Sequence, residues 1–407
     1  MRISNLEVAA ITLPFRLSFG HSLASRNNSQ NVLVKAEVVD EAGNTYVGYG
    51  ESVPRDYVTG ETVDGALRAI REDYIPRLLG KEFETPLAVL VFLANTFEEL
   101  GLKRLPRGAS WCAVEMAVMD AVARANYLSF ASLLSIWDVT RNRSDAGTTA
   151  SIQRSVQYGG VIPFGGTITW AGILLFFKYF GFPTVKMKVG RDWEKDEFKL
   201  KMARSILGSD VVLRVDANCA WTVDETLYFA EKMRRFKVSS IEQPVEPENI
   251  EGMKRLAAEL PETLVADESL CTVEQARLLI NERACDAFNI RLSKVGGALI
   301  ACEIADMAHA SGVGVMLGAQ VGESALLSSA GRSWAAVKGP FDNCEGSFNR
   351  FLLRHDLTRQ DVTFRRGGSA PVLSGYGLGV EVDDKLLDRC ITSREPRQRS
   401  TLVGGSV

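Results

Sequence analysis

Histidine is scarce, with three in 407 residues, and His309 falls mid-helix in Ala305–His309, the place of an ordinary helix residue. The seven cysteines (112, 219, 271, 285, 302, 344 and 390) show no CxxC and no metal-ligand spacing, and the N-terminus lacks a basic stretch followed by an apolar one. A reducing, cytoplasmic setting is therefore expected. Long apolar runs are missing too. The most apolar stretch, Ile173 to Phe182, is interrupted by Lys178 and is too short to cross a bilayer, so no membrane role is expected. A net charge of −3, with both signs interspersed, offers no basic field for nucleic acid.

What remains is a long chain with a rhythm. At 407 residues it exceeds one ordinary core and suits a (β/α)8 barrel of roughly 220–250 residues plus a second domain. Residues 4–14, 32–38 and 45–48 read as antiparallel strands, with a turn at 41–44; helices are expected over 61–79, 86–100, 109–125 and 129–137. The polar stretch Arg141–Gly147 reads as a linker. Strand and helix then alternate: strands at 184–189, 211–216, 239–243, 263–267, 287–292 and 313–317 are each followed by a helix. A first strand near 151–157 and an eighth at 343–347 complete a TIM-type barrel, favoured over an open doubly wound sheet. The expected division is an α+β capping domain (1–140), the barrel (147–365), a segment returning to the cap (366–392) and a disordered tail (393–407).

Charged residues recur behind the apolar strands. By subtraction, Asp216 lies 28 residues after Lys188, Glu242 lies 26 further, Asp267 25, Lys294 27 and Glu323 29. One βα unit takes about that much chain, so all six would converge on the barrel rim that carries active sites. Three clustered carboxylates repel unless a cation neutralises them, and an all-oxygen set selects Mg2+, with Mn2+ as the alternative, over Zn2+. Asp216 and Asp267 also read as helix N-caps, which keeps a purely structural role open. Lys186 and Lys188, two apart on one strand, share a face directed into the barrel, although solvent-facing strand charges are the competing reading. Lys294, before Gly296-Gly297, should lie across the barrel from Lys188.

Together, Lys186-Met187-Lys188, Asp216-Ala217-Asn218, Glu242-Gln243-Pro244, Asp267-Glu268-Ser269 and Lys294-Val295-Gly296-Gly297 resemble the enolase superfamily, muconate lactonizing enzyme subgroup. Gly48-Tyr49-Gly50-Glu51 and Ala113-Val114-Glu115-Met116-Ala117 resemble its capping-domain sheet and helix. The resemblance implies Asp216, Glu242 and Asp267 as metal ligands, Lys188 and Lys294 as the acid–base pair, and Lys186 as a helper near the substrate carboxylate. It implies a Lys base acting with Mg2+ to stabilise an ene-diolate. Asn218, Glu323 and Glu345 are the expected substrate contacts in the barrel. His21, Arg26, Arg55 and Tyr57 are those expected from cap loops at Ser18–Asn28 and Ser52–Gly60, with solvated loop residues as the alternative.

The implied chemistry is proton transfer at the carbon α to the carboxylate of a small-molecule acid, by an isomerase expected to form a homo-oligomer. Asn343-Cys344-Glu345-Gly346 looks closer to the cycloisomerases' eighth strand than to the Asp-x-Asp of dipeptide epimerases, so a muconate-type cycloisomerase leads. N-acyl amino acid racemase, dipeptide epimerase and o-succinylbenzoate synthase are the alternatives. A metal-stabilised small-acid binding protein is the non-catalytic one, and an acid-sugar dehydratase is disfavoured because no His base is in place.

Overall fold

The computed structural model describes residues 1–21, 24–141, 152–162, 167–190 and 192–394. The chain opens with an antiparallel sheet of β1 (Arg2–His21), β2 (Ala24–Val39) and β3 (Thr45–Ser52). On β2, Val32, Val34, Ala36 and Val38 alternate into the core, all fully buried, as a half-buried strand requires. The Gly108–Ala125 helix lies across this sheet. Its close approach depends on two glycines of β3, because a Cβ on Gly48 would lie 2.2 Å from the Ala121 nitrogen and one on Gly50 1.9 Å from the Ala113 carbonyl oxygen.

The barrel begins later than the sequence suggests. Of the expected first strand, Ser155–Gln157 forms β4, which pairs antiparallel with Ser369–Pro371 and stands outside the barrel. The first barrel strand is instead β5 (Gly160–Ile162), in parallel register with β6 (Thr184–Lys188). Gly159 and Gly160 make this approach feasible, since Cβ atoms there would press on Thr184 and on the Phe177 ring. Next come β7 (Val212–Asp216), β8 (Val238–Glu242), β9 (Thr263–Ala266), β10 (Ala287–Ile290) and β11 (Gly314–Leu317), each parallel to the one before. The eighth strand contracts to a bridge: Cys344 pairs with both Leu317 and Tyr158, which joins the last strand to the first and closes the ring.

Side-chain alternation sorts the strands into two faces. Val185, Met187, Leu213, Val215, Ile241, Leu264, Phe288 and Ile290 are fully buried on the outward face, each stabilising the barrel by about 1.5–3 kcal/mol. The intervening positions, Lys186, Lys188, Arg214, Asp216, Glu242 and Asn289, point inward and are charged or polar. The C-terminal segment returns to the first sheet, where β13 (Ile391–Arg394), which follows β12 (Ser369–Pro371), pairs with β1. Residues 395–407, most of the expected tail, and 142–147 of the expected linker lie outside the described residues. Among the described residues no helix is long and apolar enough to cross a membrane.

Two cap carboxylates fasten the cap to the barrel. Glu51 accepts from the Ser324 and Leu327 amides and the Ser324 hydroxyl at the start of the Ala325–Lys338 helix. Glu115 accepts from the Ala298 and Leu299 amides at the start of the Ala298–Ala310 helix. Both satisfy orphan N–H groups at the positive end of a helix dipole. Gly297, at φ +108°, leaves space for Glu115, because a Cβ there would lie 2.3 Å from its carboxylate. Burial pushes Glu115 up to about 8 despite these bonds. The folded state thus holds a proton that the unfolded chain releases above about pH 4.5, and wild-type stability should fall as pH rises between those values. Glu115→Gln should therefore gain on the order of 1–3 kcal/mol relative to wild type between pH 5 and pH 8.5, measured by urea unfolding; an unchanged difference across that range would contradict this assignment.

Candidate active site

The inward charges of β6, β7 and β8 are stacked in register. Lys186 pairs with Arg214 in one row, and Lys188, Asp216 and Glu242 share the next, nearer the strands' C-terminal ends. Asp267 follows β9 directly, and Asn289 stands one residue before the end of β10. The three acids spaced along the sequence are thus brought together, all within 1 % exposure. A buried Gln243, at φ +34°, holds the third in place: its side-chain oxygen accepts from the amides of Asp267 and Ser269.

Every one of these carboxylates is held by a cation. Lys186 Nζ donates to Glu242 Oε1 at 2.8 Å and Oε2 at 2.9 Å, and lies 2.7 Å from Glu345 Oε2. Lys188 Nζ donates to Asp216 Oδ2 at 3.1 Å and Asn218 Oδ1 at 2.5 Å, and Asn218 passes the contact on to Glu268 Oε1 at 3.1 Å. Lys294 Nζ lies 2.7 Å from Asp267 Oδ1 and also donates to the Asp267 and Asn289 carbonyl oxygens. Arg291 pairs with Asp267 Oδ2, and Arg214 with Glu345 Oε1.

These contacts set the protonation states. Burial alone would lower Lys186, but Glu242, Glu345 and Asp216 outweigh it and hold the ammonium above its ordinary range. Burial opposes ionisation of Asp216, yet Lys188 and Lys186 hold it well below the usual carboxylate range. Burial, with the Arg291 charge added, pulls Lys294 down to about 7. Burial and the neighbouring Asp216 charge push Glu268 up to about 7.

Asp216, Glu242 and Asp267 supply only oxygen donors, which suits a hard divalent ion such as Mg2+. Among the described residues, no three His, Cys, Asp or Glu side chains already surround one point closely enough to hold a metal. Ammonium and guanidinium groups stand in that role. Counting formal charges, Asp216, Glu242, Asp267, Glu268 and Glu345 give five negatives against five positives from Lys186, Lys188, Lys294, Arg214 and Arg291, all buried.

The remaining expected contacts fall in different places. Glu323 accepts from the Gln320 amide at 2.6 Å, is pushed up to about 8 by burial, and with Glu345 lines a small pocket beside Tyr158, Gly318 and Ser328. Glu345 is spent on Lys186 and Arg214. Arg55 is 6 % exposed and braces Ser29 Oγ and the Gln30 carbonyl. Tyr57 sits on a one-turn helix, Asp56–Thr59, beside Val58, whose carbonyl accepts from Cys271 Sγ. The expected loop Ser18–Asn28 is instead the far end of the β1–β2 hairpin, paired through His21 and Ala24. The side chains of His21 and Arg26 lie outside the described residues.

Three inward residues escaped the sequence reading: Arg214, Asn289 and Arg291. Strand alternation could have found them, because each lies two residues from another inward position.

The match to the family model described as "Enolase C-terminal domain-like" covers residues 176–386. An N-succinylamino acid racemase from Amycolatopsis sp is 29% identical over 97% of this chain and 99% of its own. The L-Ala-D/L-Glu epimerase of Bacillus subtilis (strain 168) is 30% identical over 93% of this chain and 97% of its own. A dipeptide epimerase from Enterococcus faecalis V583, solved with Mg and the dipeptide L-Leu-L-Tyr, shares the fold with a TM-score of 0.80 at 24% identity, covering 94% of this chain and 100% of its own.

Glu345→Ala should destabilise the fold by about 3–5 kcal/mol, because it strips a buried guanidinium of its carboxylate, whereas Arg214→Met combined with Glu345→Ala should recover part of that loss. Urea unfolding of the two variants measures this, and an additive double variant would contradict the pairing. With its barrel closed by Cys344, its acids gathered on one rim and its cap sheet in place, the chain belongs to the enolase superfamily.

Proposed function

We propose that this chain is a Mg2+-dependent isomerase that moves the proton α to a carboxylate, with Lys188 as the group that takes and returns it. The observation that carries the reading is the row Lys188–Asp216–Glu242, which sets a lysine beside two oxygen-donor acids on the barrel rim. Asp216, Glu242 and Asp267 are the residues that would hold the ion. When bound, Mg2+ would supply positive charge to the substrate carboxylate oxygens.

Charge balance supports this assignment. A rim that is formally neutral becomes doubly positive with one divalent ion, which matches a carboxylate that gains a second negative charge as its α proton leaves. Lys188 is oriented by Asp216 and Asn218, so its nitrogen is fixed before the substrate arrives. Lys186 stays charged through its carboxylate partners and would attract the substrate's carboxylate without taking a proton.

The curated relatives act as a racemase and an epimerase, which makes N-succinyl amino acids and dipeptides the first substrates to try. One observation favours the cycloisomerase reading over dipeptides. The eighth strand offers Asn343-Cys344-Glu345, and the Glu345 carboxylate is already committed to Lys186 and Arg214 rather than open to a dipeptide's ammonium.

The test is α-proton exchange in D2O with Mg2+, followed by NMR across N-succinyl amino acids, dipeptides and muconolactone. Exchange in wild type should fall by about 10²–10⁴-fold in Lys188→Met. No exchange with any member of the panel, or equal exchange in Lys188→Met, would sink the proposal; the former would support a small-acid binding protein.

A further inference from the structure

We propose that the face of the reacting carbon opposite Lys188 is met by the Arg291 guanidinium, assisted by Gln320, so that proton transfer in this site is one-sided. The inference rests on the function proposed above and adds to it the group that meets the other face of the substrate.

Topology places the residue. From β6 to β10 is four steps around an eight-membered ring, so side chains at the ends of these two strands face each other across the barrel. Arg291 continues β10 in extended conformation, at φ −112° and ψ 120°. It lies two residues after Asn289, whose amide reaches Glu242 Oε1 at 2.8 Å inside the barrel, so Arg291 shares the inward face. Its spacing agrees, 24 residues after Asp267 by subtraction, continuing the 26 and 25 before it. Gly318, just past the end of β11, leaves room for its stem, since a Cβ there would lie 2.8 Å from Arg291 Cγ.

Lys294 occupies another position. It sits on a one-turn helix, Leu292–Val295, is fully buried, and spends its ammonium on the Asp267 carboxylate and two backbone carbonyls. Its backbone packs against Gly108 of the cap, where an added Cβ would lie 2.6 Å from the Lys294 carbonyl oxygen. These contacts brace the Asp267 loop from behind.

Donors without acceptors mark the substrate side. Arg291 Nη2 pairs with Asp267 Oδ2 and Nη1 donates to Gln320 Oε1 at 3.3 Å, while Arg291 Nε and Gln320 Nε2 are buried and find no acceptor among the described residues. An unmet buried donor is costly, and a carboxylate or carbonyl oxygen of a ligand would recover that cost. The pair therefore suits an acid with a second acceptor group, either a dicarboxylate or an N-acyl acid. A guanidinium stays charged and donates hydrogen bonds, but accepts no proton. Lys188 Nζ takes the α proton, the C–H electron pair passes into the carboxylate, and the same ammonium returns the proton to the same face. One face favours cycloisomerisation or elimination over racemisation.

Two readouts test this. Malonate titrated calorimetrically into Mg2+-saturated protein should bind wild type, with affinity at least ten-fold weaker in Arg291→Ala and partly restored in Arg291→Lys. Unchanged affinity in Arg291→Ala overturns the inference. Absence of malonate binding to wild type instead overturns the metal–carboxylate site proposed above, and the inference with it. In D2O, wild type should exchange the α proton of one enantiomer with retention, and Arg291→Lys should begin to interconvert enantiomers. Interconversion by wild type that disappears in Lys294→Met would place the second base at Lys294 and refute the one-sided site.

Discussion

Charge pairing inside the barrel is the interaction on which the rest of this structure depends. Burying one ion without a partner costs several kcal/mol, so five carboxylates can occupy the barrel's upper half only because five cations are threaded among them. The pairing dictates composition: the inward positions of β6 and β7 alternate with valine, methionine and leucine that pack outward on the helices. It also dictates geometry. Asp216 and Glu242 stand in register, so a shift of one residue in either strand would turn an acid outward into the helix layer.

The cap is attached on the same principle. Glu51 and Glu115 are carboxylates buried at the N-termini of barrel helices, where three backbone and hydroxyl donors meet Glu51 and two backbone donors meet Glu115. These bonds join β3 to an element 273–276 residues later and the Gly108–Ala125 helix to one 183–184 residues later. The base of the β1–β2 hairpin is held to the same rim, with Asn31 donating to the Gly322 carbonyl and Arg16 to that of Leu353. The cap is thus fastened to the barrel at several separate points along the chain.

Much of this was legible in the sequence. The spacing of Asp216, Glu242 and Asp267 behind apolar runs located three strand ends, because a βα unit has a nearly constant length. The first barrel strand was not legible: Ser151–Gln157 has a strand's composition, but the close contacts that seat Gly159 and Gly160 against Thr184 and Phe177 appear only in three dimensions. Arg291 is harder to read from sequence, because Lys294 is the residue type that the chemistry asks for, whereas alternation from Asn289 carries the inward face to Arg291 wherever the strand ends. Arg214 was missed since an arginine inside an apolar run reads as an exposed residue until its partner, Glu345, is found 131 residues later.

The central claim is that Asp216, Glu242 and Asp267 seat one divalent ion among these paired charges. Titration of the purified protein with Mn2+, followed by its electron paramagnetic resonance signal, tests it without any substrate. The account predicts one ion bound per chain, displaced by Mg2+ and weakened at least ten-fold in each of Asp216→Asn, Glu242→Gln and Asp267→Asn. Binding of equal strength in wild type and all three variants, or none in wild type, would contradict it.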